Sequence, residues 1–334
     1  MLAAVIDKPN EIRVGPVPDP APGPGEVVVR VGACGICGSD VTIAAGNFPP
    51  TPFPIVPGHE FAGEIVAVGA GVDHLRDGDR VAVDPTLVCG HCDWCRAGRG
   101  NLCDNWGATG DTVDGAAAEY VAVPAYNCHR MPAGMTFRQA ALVEPLSCAV
   151  HAVAVAPPRV GESVLVVGGG TMGLLTAQLL ARGGASRLAV VDRKADRLPV
   201  AEQLGATLTS TDLAEALDDR PRGYDLVVDA TGSPPAIQAG LAAVAKGGRF
   251  LVVGVAPPEA TVAISPFRIY NQEITVLGSM AVLHSYGQAL RLVADGLVDV
   301  DPLITHGLPL EEYPDALEMV RTGQGLKIQL LPNG

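Results

Sequence analysis

The sequence predicts an α/β protein in which a mainly β domain is followed by a doubly wound parallel sheet. Two compositional patterns support this fold class. Up to about Cys148 the chain is rich in Gly, Pro and Cys and contains short β-like runs between turn residues. From about Glu162 apolar strands alternate with helical stretches, a rhythm typical of βαβ units and of a parallel sheet. The 334 residues are enough for two ordinary domains with buried cores.

The predicted elements are justified in chain order. Residues 26–31 and 63–68 are predicted strands, because they are short β-like runs bounded by turn residues. In the second part, the predicted buried strands are residues 163–167, 188–191, 226–228, 250–253 and 275–277. The helices predicted beside them cover residues 174–181, 195–204 and 235–244. In the tail, the sequence predicts helices at 286–294 and 313–320 and a strand at 327–331.

Composition and charge exclude several classes of protein. Lys plus Arg (23) minus Asp plus Glu (36) gives a net charge of −13, and such an acidic chain repels the nucleic-acid backbone. A hydrophobic fraction of 48% argues against disorder. The N-terminus has no basic start before an apolar core, and three glycines interrupt the apolar run 164–181, so we expect neither a signal peptide nor a membrane span. Eight cysteines without an export signal favour reduced thiols and a cytoplasmic protein.

A glycine-rich turn follows the predicted strand 163–167. Gly168, Gly170 and Gly173 fit the pattern G-x-G-x-x-G, in which Thr171 and Met172 separate the last two glycines. The first glycine permits a tight turn, the second lets a pyrophosphate approach the backbone, and the third lets helix and strand pack closely. The start of the following helix would bind the phosphates through free N–H groups and its positive dipole end. The alternative is a Gly-rich turn of some other α/β protein.

An acidic residue closes the next predicted strand. Asp192 lies 19 residues beyond Gly173, where a carboxylate accepts both ribose hydroxyls of adenosine and repels a 2′-phosphate. This favours NAD over NADP. The adjacent Arg193 complicates the assignment, because an arginine accommodates that phosphate.

Four cysteines follow the spacing C-x2-C-x2-C-x7-C, at Cys89, Cys92, Cys95 and Cys103. Four thiolates complete the tetrahedral shell of one Zn²⁺, which is typical of a structural site without an open position. The spacing differs from the ferredoxin ending C-x3-C-P, which argues against an iron–sulfur cluster. Unligated surface cysteines are the other alternative. His91 lies within this lobe (about residues 85–106) and is predicted to be a turn residue, because four sulfurs already close the shell.

A second set of potential metal ligands is spread along the first part of the chain. Cys37, the adjacent pair His59 and Glu60, and Glu144 offer one thiolate, one imidazole and two carboxylates. Catalytic zinc typically keeps three protein ligands and a position for water or substrate. For each residue taken alone, a buried cysteine or a hydrogen-bonded histidine is the commoner explanation.

The order of these features resembles the zinc-containing medium-chain dehydrogenase/reductase family. The resemblance spans essentially the whole chain, from Cys37 through the four-cysteine lobe and the glycine turn to Asp192 and the tail. Residues 58–60 (Gly-His-Glu), residues 144–147 (Glu-Pro-Leu-Ser) and the late Thr305-His306 look most like the sorbitol (polyol) dehydrogenase branch. Threonine dehydrogenases are the next neighbours, through residues 36–38 and the complete cysteine lobe.

The resemblance implies a split architecture. Residues 1–148 and 285–334 would form a GroES-like, mainly β catalytic domain, and residues 149–284 would form an inserted Rossmann domain, with the active site in the cleft. Cys37 and His59 would bind zinc, and Glu60 or Glu144 would complete the shell, directly or through water. Each added carboxylate lowers the Lewis acidity of the ion, so we expect unequal roles. Glu60 is expected to ligate directly, and Glu144 to hold the zinc-bound water or orient the substrate.

The implied activity is NAD-dependent oxidation of a secondary alcohol on a polyol, a cyclitol or a similar polyhydroxylated small molecule. Zinc would stabilise the alkoxide, and NAD would accept the hydride. Ser39, two residues after Cys37, is the best candidate to pass the alcohol proton towards solvent, with a turn residue as the alternative. We expect two zinc ions per chain. Apolar edge strands late in the Rossmann sheet predict a homodimer or, by resemblance, a homotetramer.

Two departures from the sorbitol dehydrogenases concern the substrate. Those enzymes carry an Arg-Tyr pair shortly after the last Rossmann strand, where residues 279–282 of this chain read Ser-Met-Ala-Val, and a His-Tyr pair where it has Thr42-Ile43. Both changes remove polar substrate contacts, so the zinc chemistry transfers better than the substrate identity. One alternative is a threonine 3-dehydrogenase-like amino-alcohol dehydrogenase. An alternative of another class is a catalytically silent nucleotide-binding or structural relative.

Overall fold

The computed structural model describes all residues from Met1 to Gly334. The chain divides into two compact units. The first unit comprises Met1–Glu144 and Tyr286–Gly334, and the second unit comprises Pro145–Ser285. None of the helices is long and apolar enough to span a membrane.

Strands and short helices alternate along the whole chain. The strands are β1 Leu2–Lys8, β2 Glu11–Pro16, β3 Glu26–Gly35, β4 Glu60–Val68, β5 Arg80–Val83, β6 Thr86–Leu87, β7 Gly107–Ala108, β8 Tyr120–Pro124, β9 Cys128–Arg130, β10 Ser163–Val167, β11 Arg187–Val191, β12 Leu208–Ser210, β13 Tyr224–Asp229, β14 Val244–Val252, β15 Thr275–Gly278, β16 Ile304–Leu308 and β17 Lys327–Leu330. The α-helices are α1 Gly38–Ala44, α2 Asp93–Arg96, α3 Phe137–Ala141, α4 Val143–Val155, α5 Thr171–Arg182, α6 Leu198–Gln203, α7 Leu213–Asp219, α8 Pro234–Ala242, α9 Pro266–Gln272, α10 Tyr286–Ala294 and α11 Tyr313–Thr322.

The first unit is built on a mostly antiparallel sheet of order β16-β17-β3-β4-β5-β9, and β8 also pairs with β3. Val27, Val29 and Val31 alternate along β3 and are fully buried, as expected for a strand with one face on a core. The tail contributes to the same sheet, because β17 lies antiparallel to the end of β3. The order β17-β3-β4 therefore brings three segments to the same end of the sheet. These are the start of β17, the residues that follow β3 and the start of β4.

The second unit contains a parallel sheet of order β12-β11-β10-β13-β14-β15. Every residue of β10 is buried, which is typical of a central strand covered on both faces. The strand order reverses between β10 and β13, and ligands of open α/β sheets bind at the carboxyl ends of the strands beside such a point. The predicted α/β class with a doubly wound parallel sheet is confirmed.

Most predicted elements of the second unit and the tail are confirmed, with one clear error. The predicted helix 235–244 runs too far, because α8 ends at Ala242 and Val244 begins β14. The Arg268 guanidinium explains the early end, since it donates to the carbonyl oxygens of Leu241 (2.7 Å), Ala242 (3.2 Å) and Val244 (2.9 Å). In a longer helix, such carbonyl oxygens would accept hydrogen bonds from N–H groups of the next turn. In the second unit and the tail, the sequence interpretation also missed α4, α7, α9, β12 and β16, and in the first unit it missed, among others, α1.

Candidate active site

The four cysteines Cys89, Cys92, Cys95 and Cys103 converge. Their sulfur atoms all lie within 4.8 Å of one another, and none is in a disulfide. Four sulfurs bound to zinc at about 2.3 Å stand about 3.8 Å apart at the corners of a tetrahedron. The Cys89 and Cys95 sulfurs are 4.0 Å apart, close to that spacing. The donor set therefore fits a closed zinc site.

Backbone amides point at these sulfurs. The N–H groups of Cys92 and Cys95 donate to the sulfurs three residues earlier, each at 3.4 Å, and the Cys89 N–H donates to Cys103 at 3.3 Å. The backbone N–H groups of His91 and Cys92 lower the pKa of Cys89 to about 6, whereas desolvation raises the pKa of Cys95 to about 12. Amides aimed at sulfur stabilise the thiolate form, which is the form that binds metal. His91 stays outside the set, with its Nδ1 2.8 Å from the Cys89 carbonyl oxygen.

The second ligand set contains Cys37, His59 and Glu60, whose ligand atoms also lie within 4.8 Å of one another. Cys37 directly precedes α1, and its N–H donates to the Asp40 carboxylate at 2.7 Å. Gly58 has a φ of +97°, and a Cβ there would lie 2.7 Å from the Cys34 sulfur. Only glycine fits this turn, and it lets the adjacent His59 and Glu60 both reach the same point.

Asp111 holds the His59 ring by one of its two nitrogens. Nδ1 of His59 lies 3.2 Å from the Asp111 carboxylate, and Nε2 lies 3.4 Å from the Ser39 hydroxyl oxygen. Burial alone would lower the pKa of His59, but the Asp111 carboxylate more than offsets it and the pKa lies well above its usual value. A carboxylate on one nitrogen orients a metal-ligating histidine and leaves the other nitrogen for the ion. Asp111 therefore leaves Nε2 available beside Ser39.

Lys327 is the unexpected member of this site. Its ammonium group lies 2.8 and 2.6 Å from the two Glu60 carboxylate oxygens and donates to the Ile36 carbonyl oxygen at 3.2 Å. Both side chains are buried, with 5% and 1% exposure. Burial would lower the pKa of Lys327, but the negative charges of Glu60, Cys37 and Glu144 raise it. Lys327 thus offsets the charge of the Glu60 carboxylate.

Glu144 lies apart from the ligand set. It is buried in the first turn of α4, and its charge acts on Lys327, but its carboxylate is not among the atoms that lie within 4.8 Å. Of the two candidate carboxylates, the structure brings Glu60 to Cys37 and His59. Ser39 lies in the first turn of α1.

The glycine turn connects β10 to α5, as expected for a dinucleotide site. Gly168 has a φ of +105°, and Gly170 directly precedes α5, which begins with Thr171 and Met172. A Cβ on Gly173 would lie 1.7 Å from the Gly168 carbonyl oxygen, so only glycine permits this approach of helix and turn. At Gly170 a Cβ would meet nothing closer than 3.6 Å, which leaves the backbone open to a phosphate group.

Asp192 contacts the same turn from the end of β11. Its carboxylate accepts the N–H groups of Gly169 at 2.7 Å and Lys194 at 2.8 Å. It also forms an ion pair with Arg197, whose Nη1 is 3.1 Å away. Arg193 is exposed beside it. Two arginines therefore flank the carboxylate that was predicted to repel a 2′-phosphate.

Sequence reasoning missed Asp111, Lys327 and Arg197. For Asp111 and Lys327 no local signal was available, because the structure brings them to His59 and Glu60 from distant parts of the chain. Arg197 carries a weak signal, since it follows Asp192 by five residues at the start of a helical stretch.

Comparison with known proteins agrees with this geometry. Residues 23–133 match the model of the alcohol dehydrogenase GroES-like domain, and residues 171–295 match that of the zinc-binding dehydrogenases. The chain is 35% identical to D-arabinitol dehydrogenase 1 of Uromyces fabae, covering 100% of this chain and 97% of the relative. This chain belongs to the zinc-containing medium-chain dehydrogenase/reductase family. It is also 34% identical to the sorbitol dehydrogenase of Bacillus subtilis, over 100% of this chain and 98% of the relative, which supports the polyol dehydrogenase branch.

Two solved structures that are similar to this chain hold different nicotinamide cofactors. One from Sinorhizobium meliloti, assigned as a zinc-binding dehydrogenase and bound to NADP, has a TM-score of 0.95 and 36% identity, over 99% of both chains. One from E. coli, described as a short chain alcohol dehydrogenase in complex with NADH, has a TM-score of 0.92 and 31% identity, again over 99% of both chains. The family models, the relatives and the similar structures agree on one fold, and this medium-chain dehydrogenase is an oxidoreductase.

Proposed function

We propose that this dehydrogenase oxidises a secondary alcohol on a polyol, a cyclitol or a similar polyhydroxylated molecule, with zinc and NAD. The observation that carries the proposal is the convergence of Cys37, His59 and Glu60, a mixed thiolate, imidazole and carboxylate set. Three protein ligands of these types leave a fourth zinc position for the substrate oxygen. The four-cysteine lobe would hold a second, structural zinc.

Each group of the site has a role that its position supports. When bound, zinc supplies Lewis acidity at the alcohol oxygen and the nicotinamide accepts a hydride. The Ser39 hydroxyl, next to His59 Nε2 and partly exposed, would accept the substrate proton and pass it to solvent. Asp111 would keep His59 oriented. Glu144, which lies outside the ligand set, would orient the substrate or a water molecule.

The substrate class rests on the relatives and is tested by a screen. Relatives named for arabinitol, sorbitol and altritol support a polyol, whereas residues 279–282 and Thr42-Ile43 lack the polar pairs of sorbitol dehydrogenases. We expect NAD reduction with a polyol or cyclitol in a panel that also contains simple diols and threonine. Threonine as the only substrate would favour the amino-alcohol alternative. NAD binding without turnover on any alcohol would favour a catalytically silent relative.

Cofactor preference provides the second prediction. Asp192 should make the enzyme favour NAD, and Asp192→Ser should shift the ratio of kcat/KM values towards NADP by at least about tenfold, which is 1.4 kcal/mol of relieved repulsion. Arg197 would then be released from its ion pair and, with Arg193, be free to bind the 2′-phosphate. The double variant Asp192→Ser/Arg197→Gln should lose most of this gain. Equal use of both cofactors by the unmodified enzyme would contradict the assignment of Asp192.

Assembly provides the third prediction. β15 is an edge strand of the second unit's sheet, and Val276 on it is 45% exposed. Phe267 and Tyr270 on the preceding helix α9 are also strongly exposed, at 71% and 81%. An unpaired apolar edge favours pairing with a second copy, so we expect a dimer or tetramer in the cytoplasm. Light scattering should show this state, and Val276→Lys should weaken it; a monomeric unmodified protein at micromolar concentration would argue against it.

A further inference from the structure

Asp229 is a fully buried carboxylate at the point where the strand order of the second unit reverses. It is the last residue of β13 and has no exposed surface. Its Cα partner is Val167, the last residue of β10, which directly precedes the first glycine of the turn. Nothing in the proposed chemistry uses this residue, although it lies at the edge where the cofactor site is expected.

The Asp229 carboxylate accepts hydrogen bonds from the loop that follows β13. Its carboxylate accepts the N–H of Thr231 at 3.1 Å, the Thr231 hydroxyl at 2.5 Å and the N–H of Gly232 at 3.2 Å. The Thr231 hydroxyl oxygen in turn accepts the N–H of Ser233 at 3.0 Å, the residue before α8. A buried carboxylate is costly unless it is hydrogen-bonded, and the three bonds to the Asp229 carboxylate come from Thr231 and Gly232.

The backbone of Asp229 also forms hydrogen bonds with the loop after β14. The Asp229 carbonyl oxygen accepts the N–H groups of Val253 and Gly254, each at 2.9 Å. A Cβ on Gly254 would lie 2.1 Å from the Gly232 nitrogen and 2.8 Å from the Asp229 carboxylate. A Cβ on Gly168 would lie 2.8 Å from the Thr231 methyl group. The loops after β10, β13 and β14 are therefore packed without space around Asp229.

These contacts assign Asp229 a function in cofactor binding. The proposed site places the adenosine ribose at Asp192, beyond β10 on the β11 side, and the pyrophosphate at the glycine turn. A dinucleotide bound across the switch point must then extend its other half over the ends of β13 and β14. We propose that Asp229 is a positioning residue for the nicotinamide half of the cofactor, acting through the loops that it holds. This inference rests on the proposed dinucleotide site.

The test compares two ligands and two aspartates of the same strand. Asp229→Asn keeps the shape, but the amide offers one acceptor atom in place of two and turns its N–H₂ towards a donor. We expect the Kd for NAD⁺, measured by calorimetry, to rise about tenfold or more, and the Kd for 5′-AMP to change by less than about twofold. Asp225, near the start of β13, accepts from Ser163 N and Oγ at 2.8 and 2.7 Å. Asp225→Asn is the matched control and should leave both constants unchanged.

A second pair of variants guards against misfolding of Asp229→Asn. Thr231→Val removes the hydroxyl and keeps the methyl group, and should weaken NAD⁺ but not AMP; Thr231→Ser restores the hydroxyl and should recover NAD⁺ binding. Unchanged NAD⁺ binding in Asp229→Asn and Thr231→Val, or a parallel loss of NAD⁺ and AMP, would overturn the inference. If the unmodified protein binds neither ligand, the proposed dinucleotide site itself fails.

Discussion

Replacement of Lys327 by methionine should destabilise the metal-free first unit by about 3–5 kcal/mol, because it leaves the buried Glu60 carboxylate without its partner. If Glu60 can ligate zinc, the ion will neutralise that carboxylate in the variant. Zinc should therefore restore most of the lost stability and should be held more tightly than in the unmodified protein. Unfolding of the metal-free and zinc-loaded forms, with a competition assay for zinc affinity, measures both effects.

Two controls separate the buried pair from a general effect of losing a lysine. Lys8 forms an exposed ion pair with Glu11 at 2.8 Å in the same unit, and Lys8→Met should cost less than about 1 kcal/mol. The double variant Glu60→Gln/Lys327→Met removes both charges and should recover much of the stability of the metal-free protein. If zinc stabilises Lys327→Met no more than the unmodified protein, Glu60 does not reach the ion, and its assignment as a direct ligand is wrong.

Metal removal should abolish activity before it unfolds the protein. In the proposed two-zinc scheme, the four-cysteine lobe would close the shell of its ion, with backbone amides aimed at the sulfurs, whereas the Cys37 site would keep a position open for exchange. A chelator should therefore take the catalytic zinc first. Metal analysis, turnover and thermal unfolding followed on the same samples should show two zinc ions falling to one as activity disappears, with the fold retained.

Single cysteine variants should reproduce the two stages. Cys37→Ser should keep one zinc and a folded lobe but lose turnover, while Cys95→Ser should lose the other ion and loosen the lobe. An active, fully loaded preparation with fewer than two zinc ions per chain would contradict this scheme. So would loss of both ions in a single step that coincides with unfolding.

The features that the sequence predicted well are those whose residues are neighbours along the chain. The strand, the glycine turn and the helix occupy twenty consecutive positions from Ser163 to Arg182, and the structure has them in the predicted order. The four cysteines fall within fifteen positions, so their spacing alone predicts convergence. The geometry of residues close in sequence depends on backbone conformation and residue type, so the glycine and cysteine patterns predict their local structure.

The choice between Glu60 and Glu144 shows where local reasoning stops. Adjacency to His59 favoured Glu60, but whether two consecutive side chains can face one ion depends on the positive φ of Gly58 and on its packing against Cys34. The structure brings Glu60 into the ligand set and at the same time pairs it with Lys327. No pattern around Glu60 indicates that partner, because 267 positions separate the two residues.

The sequence by itself determined the α/β class, the glycine turn, the cysteine lobe and the candidate ligands Cys37 and His59. Only the tertiary structure decided the electrostatics around them: Lys327 on Glu60, Asp111 on His59, Arg197 on Asp192 and the loops gathered by Asp229. The physical reason is that charge compensation in a buried site depends on distance in space. Which charges meet is set by strand order, since the order β17-β3-β4 brings the tail of the chain to the candidate metal ligands.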